Sequence, residues 1–75
     1  MSQINLVEIT TEYIELNKFL KFENLVESGG HAKLVIADGQ VRLNGKVVVQ
    51  TRKKVRDGDI VTLAGEQYKI VVAQE

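Results

Sequence analysis

Hydrophobic spacing divides the chain into three regimes. In QINLVEI, residues 3–9, Ile4, Leu6, Val7 and Ile9 alternate imperfectly with polar positions, which predicts a weak edge strand. TTEY then breaks the pattern. From Leu16 the period lengthens: Leu16, Phe19, Leu20, Phe22 and Leu25/Val26 recur at three- and four-residue steps, the signature of an amphipathic helix. Asn17 is its expected N-cap, both phenylalanines fall on the core stripe, and Lys18 and Lys21 share one side. Ser28 opens a second helix, with Ala32, Val35 and Ile36 as its buried stripe and Asp38-Gly39 as its stop.

After Gly39 the period becomes two. Val41 and Leu43 alternate with Gln40 and Arg42, Asn44-Gly45 predicts a type I′ hairpin turn, and Val47 and Val49 give the returning strand. QTRKK reads as a basic loop or strand edge. Asp57-Gly58-Asp59 is a turn, Ile60 to Leu63 a strand, Ala64-Gly65-Glu66 a second turn, and Tyr68 to Val72 the last strand. The expected fold is α+β: two short helices packed on a small, mostly antiparallel sheet, in a single domain over residues 1–75.

Charge changes this picture more than composition does. The 75 residues carry ten acids and ten bases, but residues 28–56 alone hold seven bases and one acid, +6, between two flanks of −3 each. A phosphate backbone meets the local field of such a block rather than the net charge of zero. Gly29 and Gly30 each cost a helix about 1 kcal/mol relative to alanine. Two offsets are open: close approach of another backbone, or bare amides presented to an anion at the positive end of the helix dipole.

Other chemistry finds little support. Without cysteine no disulfide or thiolate metal site is available, and one histidine makes no structural zinc site. Asp57 and Asp59 lack the further acids of a calcium loop and fit turn chemistry. Ser28 and His31 pair residue types seen in hydrolases, but nothing in the sequence supplies an orienting acid or an oxyanion hole. The start of the chain has no signal-peptide pattern, and no apolar run reaches membrane-spanning length. The expectation is a cytoplasmic, non-catalytic monomer with no cofactor, metal, membrane or small-molecule partner.

The order of elements carries a resemblance. A helix, then SGGHAKLVIADGQVRLNG, then VRDGDIV is similar to the S4-like RNA-binding domain, or alpha-L motif, over residues 14–72. The pieces are Ser28, Ala32, the run Gly39 to Gly45 and the run Val55 to Val61. ESGGHAK and TRKK further resemble a small stand-alone bacterial subgroup. Many members have arginine after the opening serine, where this chain has Gly29, which shifts the burden to bare helix amides, Lys33 and TRKK.

The resemblance implies an RNA partner, structured and ribosomal in the first place, met in ribosome assembly or translation. The expected RNA-binding residues are Lys21, Ser28, Gly29, Gly30, His31, Lys33, Arg42, Arg52, Lys53 and Lys54. Both helices are expected to form one wall of the binding groove, and the hairpin with TRKK the other. With few aromatics, recognition is expected by shape and phosphate contacts, although Tyr13 and Tyr68 offer rings on which a base can stack. The alternative is an adaptor that docks a protein partner along a free sheet edge.

Overall fold

The imperfect alternation at the start becomes strand β1 (Ile4–Ile9) in the computed structural model of the chain, which describes residues 4–73. Position 3 of the expected strand lies outside the described residues. The further elements are β2 (Tyr13–Glu15), α1 (Leu16–Phe22), α2 (Gly29–Ala37), β3 (Val41–Leu43), β4 (Lys46–Val47), β5 (Lys54–Arg56), β6 (Ile60–Leu63) and β7 (Glu66–Val72). Of these, β2 begins at the end of the TTEY break, and β5 begins at the end of the segment read as a basic loop or strand edge.

Five strands form one sheet in the order β1-β7-β6-β3-β4, and β2 pairs with β5 in a separate antiparallel ribbon. Only β1 and β7 run parallel, in register from Ile4↔Gln67 to Ile9↔Val72; the other pairs are antiparallel. The expected α+β architecture, two helices on a mostly antiparallel sheet, is the one observed. No helix among the described residues is long and apolar enough to cross a membrane.

The period-two pattern sorts the sheet into two faces. Val7, Ile9, Val41, Val61, Leu63, Tyr68 and Ile70 are buried on the face that the helices cover. Leu16, Phe19 and Leu20 of α1 and Ala32, Val35 and Ile36 of α2 close over them. Burial of each large aliphatic or aromatic side chain contributes about 1.5–3 kcal/mol. Phe22 departs from its expected place: α1 ends at that residue, and the ring is 60% exposed.

The helix ends explain the departure. Asn24 takes a left-handed conformation, φ 57°, while its amide donates to the Lys21 carbonyl and the Leu25 amide to the Leu20 carbonyl. This is a Schellman stop, and it cuts the helix one turn short of the apolar run. Helix α2 ends in the same way at Gly39, φ 76°, with Gly39 bonded to Ile36 and Gln40 to Val35. Asn44 (φ 53°) and Gly45 (φ 85°) form the type I′ turn that Asn-Gly announces. The returning strand stops at Val47, so Val49 lies beyond it, exposed.

Candidate nucleic-acid interface

The basic segment owes its position to a helix that caps itself on the backbone. Glu15, the N-cap of α1, makes no side-chain capping bond. Instead the Leu16 amide donates to the Lys53 carbonyl at 2.8 Å and the Asn17 amide to the Thr51 carbonyl at 3.0 Å. Asn17 is therefore inside the helix and not its cap, and its Oδ1 is buried without a partner among the described residues. These two bonds satisfy amides that every helix start leaves open, and they hold the TRKK backbone against α1.

β5 continues this anchoring. Val55 is fully buried and pairs with Ile14, so Lys54 and Arg56, on the other side of the strand, face out opposite Glu15 and Tyr13. Between β5 and the β3–β4 hairpin, with its continuation through Val49, opens a groove of about 630 Å³. Lys46, Lys53, Lys54 and Arg56 line it, with Asp59 as the acid among them. Both carboxylate oxygens of Asp59 are engaged: Oδ1 accepts from Asn44 Nδ2 at 3.0 Å and Oδ2 from the Arg56 amide at 2.8 Å. Asn44 Oδ1 in turn accepts from the Ile60 amide at 2.9 Å. This network ties the hairpin turn to the turn after β5 and so joins the two walls.

The walls of this groove are not those of the groove expected from the sequence. No residue of either helix lines it; its walls are the hairpin and the β5 segment. Four of the seven central cations gather there, and Lys46 and Arg56 were not among the residues singled out from sequence. Their signal was their place in the same charge block. Arg42 is exposed, as its alternation requires, but it shares the outer sheet face with its partners Val47 and Thr62, away from the helices. Lys21 and Lys33 are exposed on the helical layer, and Arg52 is exposed beside the groove without lining it.

The start of α2 forms a second exposed feature. Ser28 Oγ accepts the His31 amide at 3.1 Å, the expected capping bond. His31 Nδ1 accepts the Glu27 amide at 3.2 Å, so the ring helps close the helix start and is not set against the serine as a base. A side chain at Gly29 would meet nothing within 4 Å, and one at Gly30 only Ser28 Oγ at 3.9 Å. Close backbone approach therefore does not explain the glycines. Their amides have no acceptor among the described residues, as the first turn of any helix leaves them.

Against this geometry the comparisons with known proteins are direct. A family model described as S4 domain matches residues 7–71. The chain belongs to the S4 domain family. Among relatives of this S4 domain, "Putative RNA-binding protein YbcJ" of Escherichia coli K12 is 41% identical over 59 residues, 79% of this chain and 84% of that protein. "Probable ribosome maturation protein RlbA" of Bacillus subtilis 168 is 34% identical over 61 residues, 81% of this chain and 86% of that one. The solution structure of E. coli YbcJ, described as an alfaL motif involved in RNA-binding, superposes with a TM-score of 0.68. It is 36% identical, over 95% of this chain and 91% of YbcJ. The 30S ribosomal protein S4e of Thermoplasma acidophilum shares the fold at a TM-score of 0.60 and 22% identity, with 80% of this chain covering 32% of that protein.

Proposed function

We propose that this S4 domain protein is a non-catalytic RNA-binding protein. It holds structured RNA, ribosomal RNA in the first place, by shape and phosphate contacts. It acts as a cytoplasmic monomer in ribosome assembly or translation. The observation that carries the reading is the groove lined by Lys46, Lys53, Lys54 and Arg56, held open by the Asn44–Asp59 bond. The names of YbcJ and RlbA support RNA and the ribosome as the setting.

In this reading the groove cations neutralise phosphates and release counterions, which makes binding strong at low salt and largely independent of sequence. The Gly29 and Gly30 amides, on the helix start that Ser28 and His31 hold in shape, receive a further phosphate. Lys33 and Lys21 on the helical layer and Arg52 beside the groove add longer-range attraction.

The test is a salt titration of binding to a structured ribosomal RNA fragment. Four groove contacts predict a log–log slope of about −3 to −4. Replacement of Lys46, Lys53, Lys54 and Arg56 by glutamine flattens the slope and lowers affinity at low salt. Unchanged binding by that variant rules the groove out as the site.

A second reading, an adaptor that extends its sheet onto a protein partner, is favoured by the free edge of β1, where Ile4 is 48% and Leu6 72% exposed. It predicts capture of a protein by an interaction that ignores both nuclease and salt.

A further inference from the structure

Tyr13 is the aromatic residue that the groove account leaves unused. It sits on β2, opposite Arg56 in the ribbon register, with Lys54 two positions along the same strand. Lys54 Nζ lies 4.9 Å from the centroid of its ring and the Arg56 guanidinium carbon 5.8 Å. Both distances are within the range of cation–π attraction. The ring is 36% exposed, and its hydroxyl makes no hydrogen bond among the described residues. Both of its cations line the basic groove, whereas Tyr13 itself lines a smaller cleft with Thr11, Ile14, Glu15 and Lys18. The ring therefore stands on the ridge beside the groove.

The other aromatics lack this setting. Phe19 and Tyr68 are buried against each other, and Phe22, though exposed, has no cation over its ring among the described residues. A partly exposed ring with two cations, about 6.7 Å apart along the neighbouring strand, meets both needs of an unpaired nucleotide: a flat face, from which an arriving base displaces a flexible cation, and positive charge for the phosphates on either side. A base inside a paired helix cannot reach it, since its faces are covered by its neighbours.

We propose that Tyr13, flanked by Lys54 and Arg56, is a stacking site for one unpaired nucleobase of the bound RNA, next to the groove that holds the phosphate backbone. This rests on the RNA-binding reading above and adds to it that the preferred RNA carries a bulged or looped-out nucleotide beside a helix. Tyr13 then selects where on a structured RNA the protein sits, while the groove supplies the attraction.

The experiment compares two hairpin RNAs that differ at one position, a bulged adenosine or an abasic site in the same bulge, so that the backbone distortion is the same. The wild-type protein is expected to bind the adenosine bulge about 10-fold more tightly, within the range measured for one stacked base. Tyr13→Phe keeps this ratio. Tyr13→Leu brings it to one while affinity for the abasic hairpin stays within about 2-fold. Tyrosine fluorescence is a second readout: Tyr68 is buried, so quenching by the adenosine bulge and not by the abasic one reports Tyr13. Equal binding of both hairpins by the wild type overturns the proposal and leaves the groove reading intact. A Tyr13→Leu variant that weakens both hairpins equally also overturns it, since the ring then only positions its cations. Failure of the wild type to bind either hairpin removes the RNA-binding reading itself.

Discussion

Asn44 and Asp59, fifteen positions apart, meet through a side-chain hydrogen bond of 3.0 Å. One closes the β3–β4 hairpin and the other follows the turn after β5. They belong to the two motif pieces, Gly39 to Gly45 and Val55 to Val61, on which the family resemblance rested. In this chain the two pieces are two halves of one contact. The Asp59 carboxylate also accepts the Arg56 amide, and its backbone carbonyl the Ile70 amide, so a single residue links hairpin, β5 and β7.

Asp59→Ala removes two side-chain bonds, each worth about 0.5–1.5 kcal/mol. The expected loss is about 1–3 kcal/mol in urea unfolding, with weaker RNA binding through a loosened groove. Asp59→Asn keeps one acceptor and should fall between the two.

The sheet supplies an internal control for the groove. Lys54→Gln takes away a cation that lines it, and Arg42→Gln one from the same basic block that does not. Equal total charge is lost in each. Lys54→Gln is expected to reduce the salt slope for RNA by about 1, and Arg42→Gln to leave it nearly unchanged.

The sequence displayed both helices, the hairpin and the last two strands, because each is long or carries its own stop signal. It hid β2 and left β5 open between basic loop and strand edge, since these strands are three residues each and their exposed members Tyr13, Lys54 and Arg56 show no alternation long enough to read until their pairing is known. It also hid where α1 ends, since Phe22 and Leu25 continue the helical period and only the left-handed Asn24 breaks it. For the site, charge along the chain located the cations but not their sides. Arg42 lies within the basic block yet does not line the groove, and Arg56 lies at its end yet does. That distinction depends on strand register, which composition does not carry.

Tyr68 contributes a loss of stability at alkaline pH. Burial, and then the Glu66 and Glu23 carboxylates, raise its phenol above the usual 10.0. The folded state therefore keeps a proton that the unfolded chain has released. Its contribution is intact below pH 10 and is lost as pH rises from there through the folded value. The slope is at most about 1.4 kcal/mol per pH unit. Urea melts at pH 9 to 11 should show this decline in the wild type and a shallower one in Tyr68→Phe.

The β6–β7 hairpin turns through Ala64 (φ 54°) and Gly65 (φ 80°), both in the left-handed region that a type I′ turn requires. Alanine there carries a strain of about 1 kcal/mol that asparagine largely avoids. Ala64 is exposed, so nothing else changes. Ala64→Asn is expected to raise stability by about 0.5–1 kcal/mol in the same urea assay and to leave RNA binding unaffected.

Gly29 separates stability from binding at the start of α2. Open space surrounds the position and its φ is not left-handed, so a side chain enters without strain. Gly29→Ala should then stabilise the fold by about 0.4–1 kcal/mol, chiefly by restricting the unfolded chain. If the bare amides of Gly29 and Gly30 receive a phosphate, the added methyl crowds that approach, and RNA affinity falls although the protein is more stable. Gly29→Arg adds a cation at the same place. It should gain similar stability and bind RNA several-fold more tightly, with a salt slope steeper by about 1. Opposite shifts in affinity for alanine and arginine, at equal gains in stability, would mark this helix start as a phosphate contact. Equal affinity for both would confine its role to the helix.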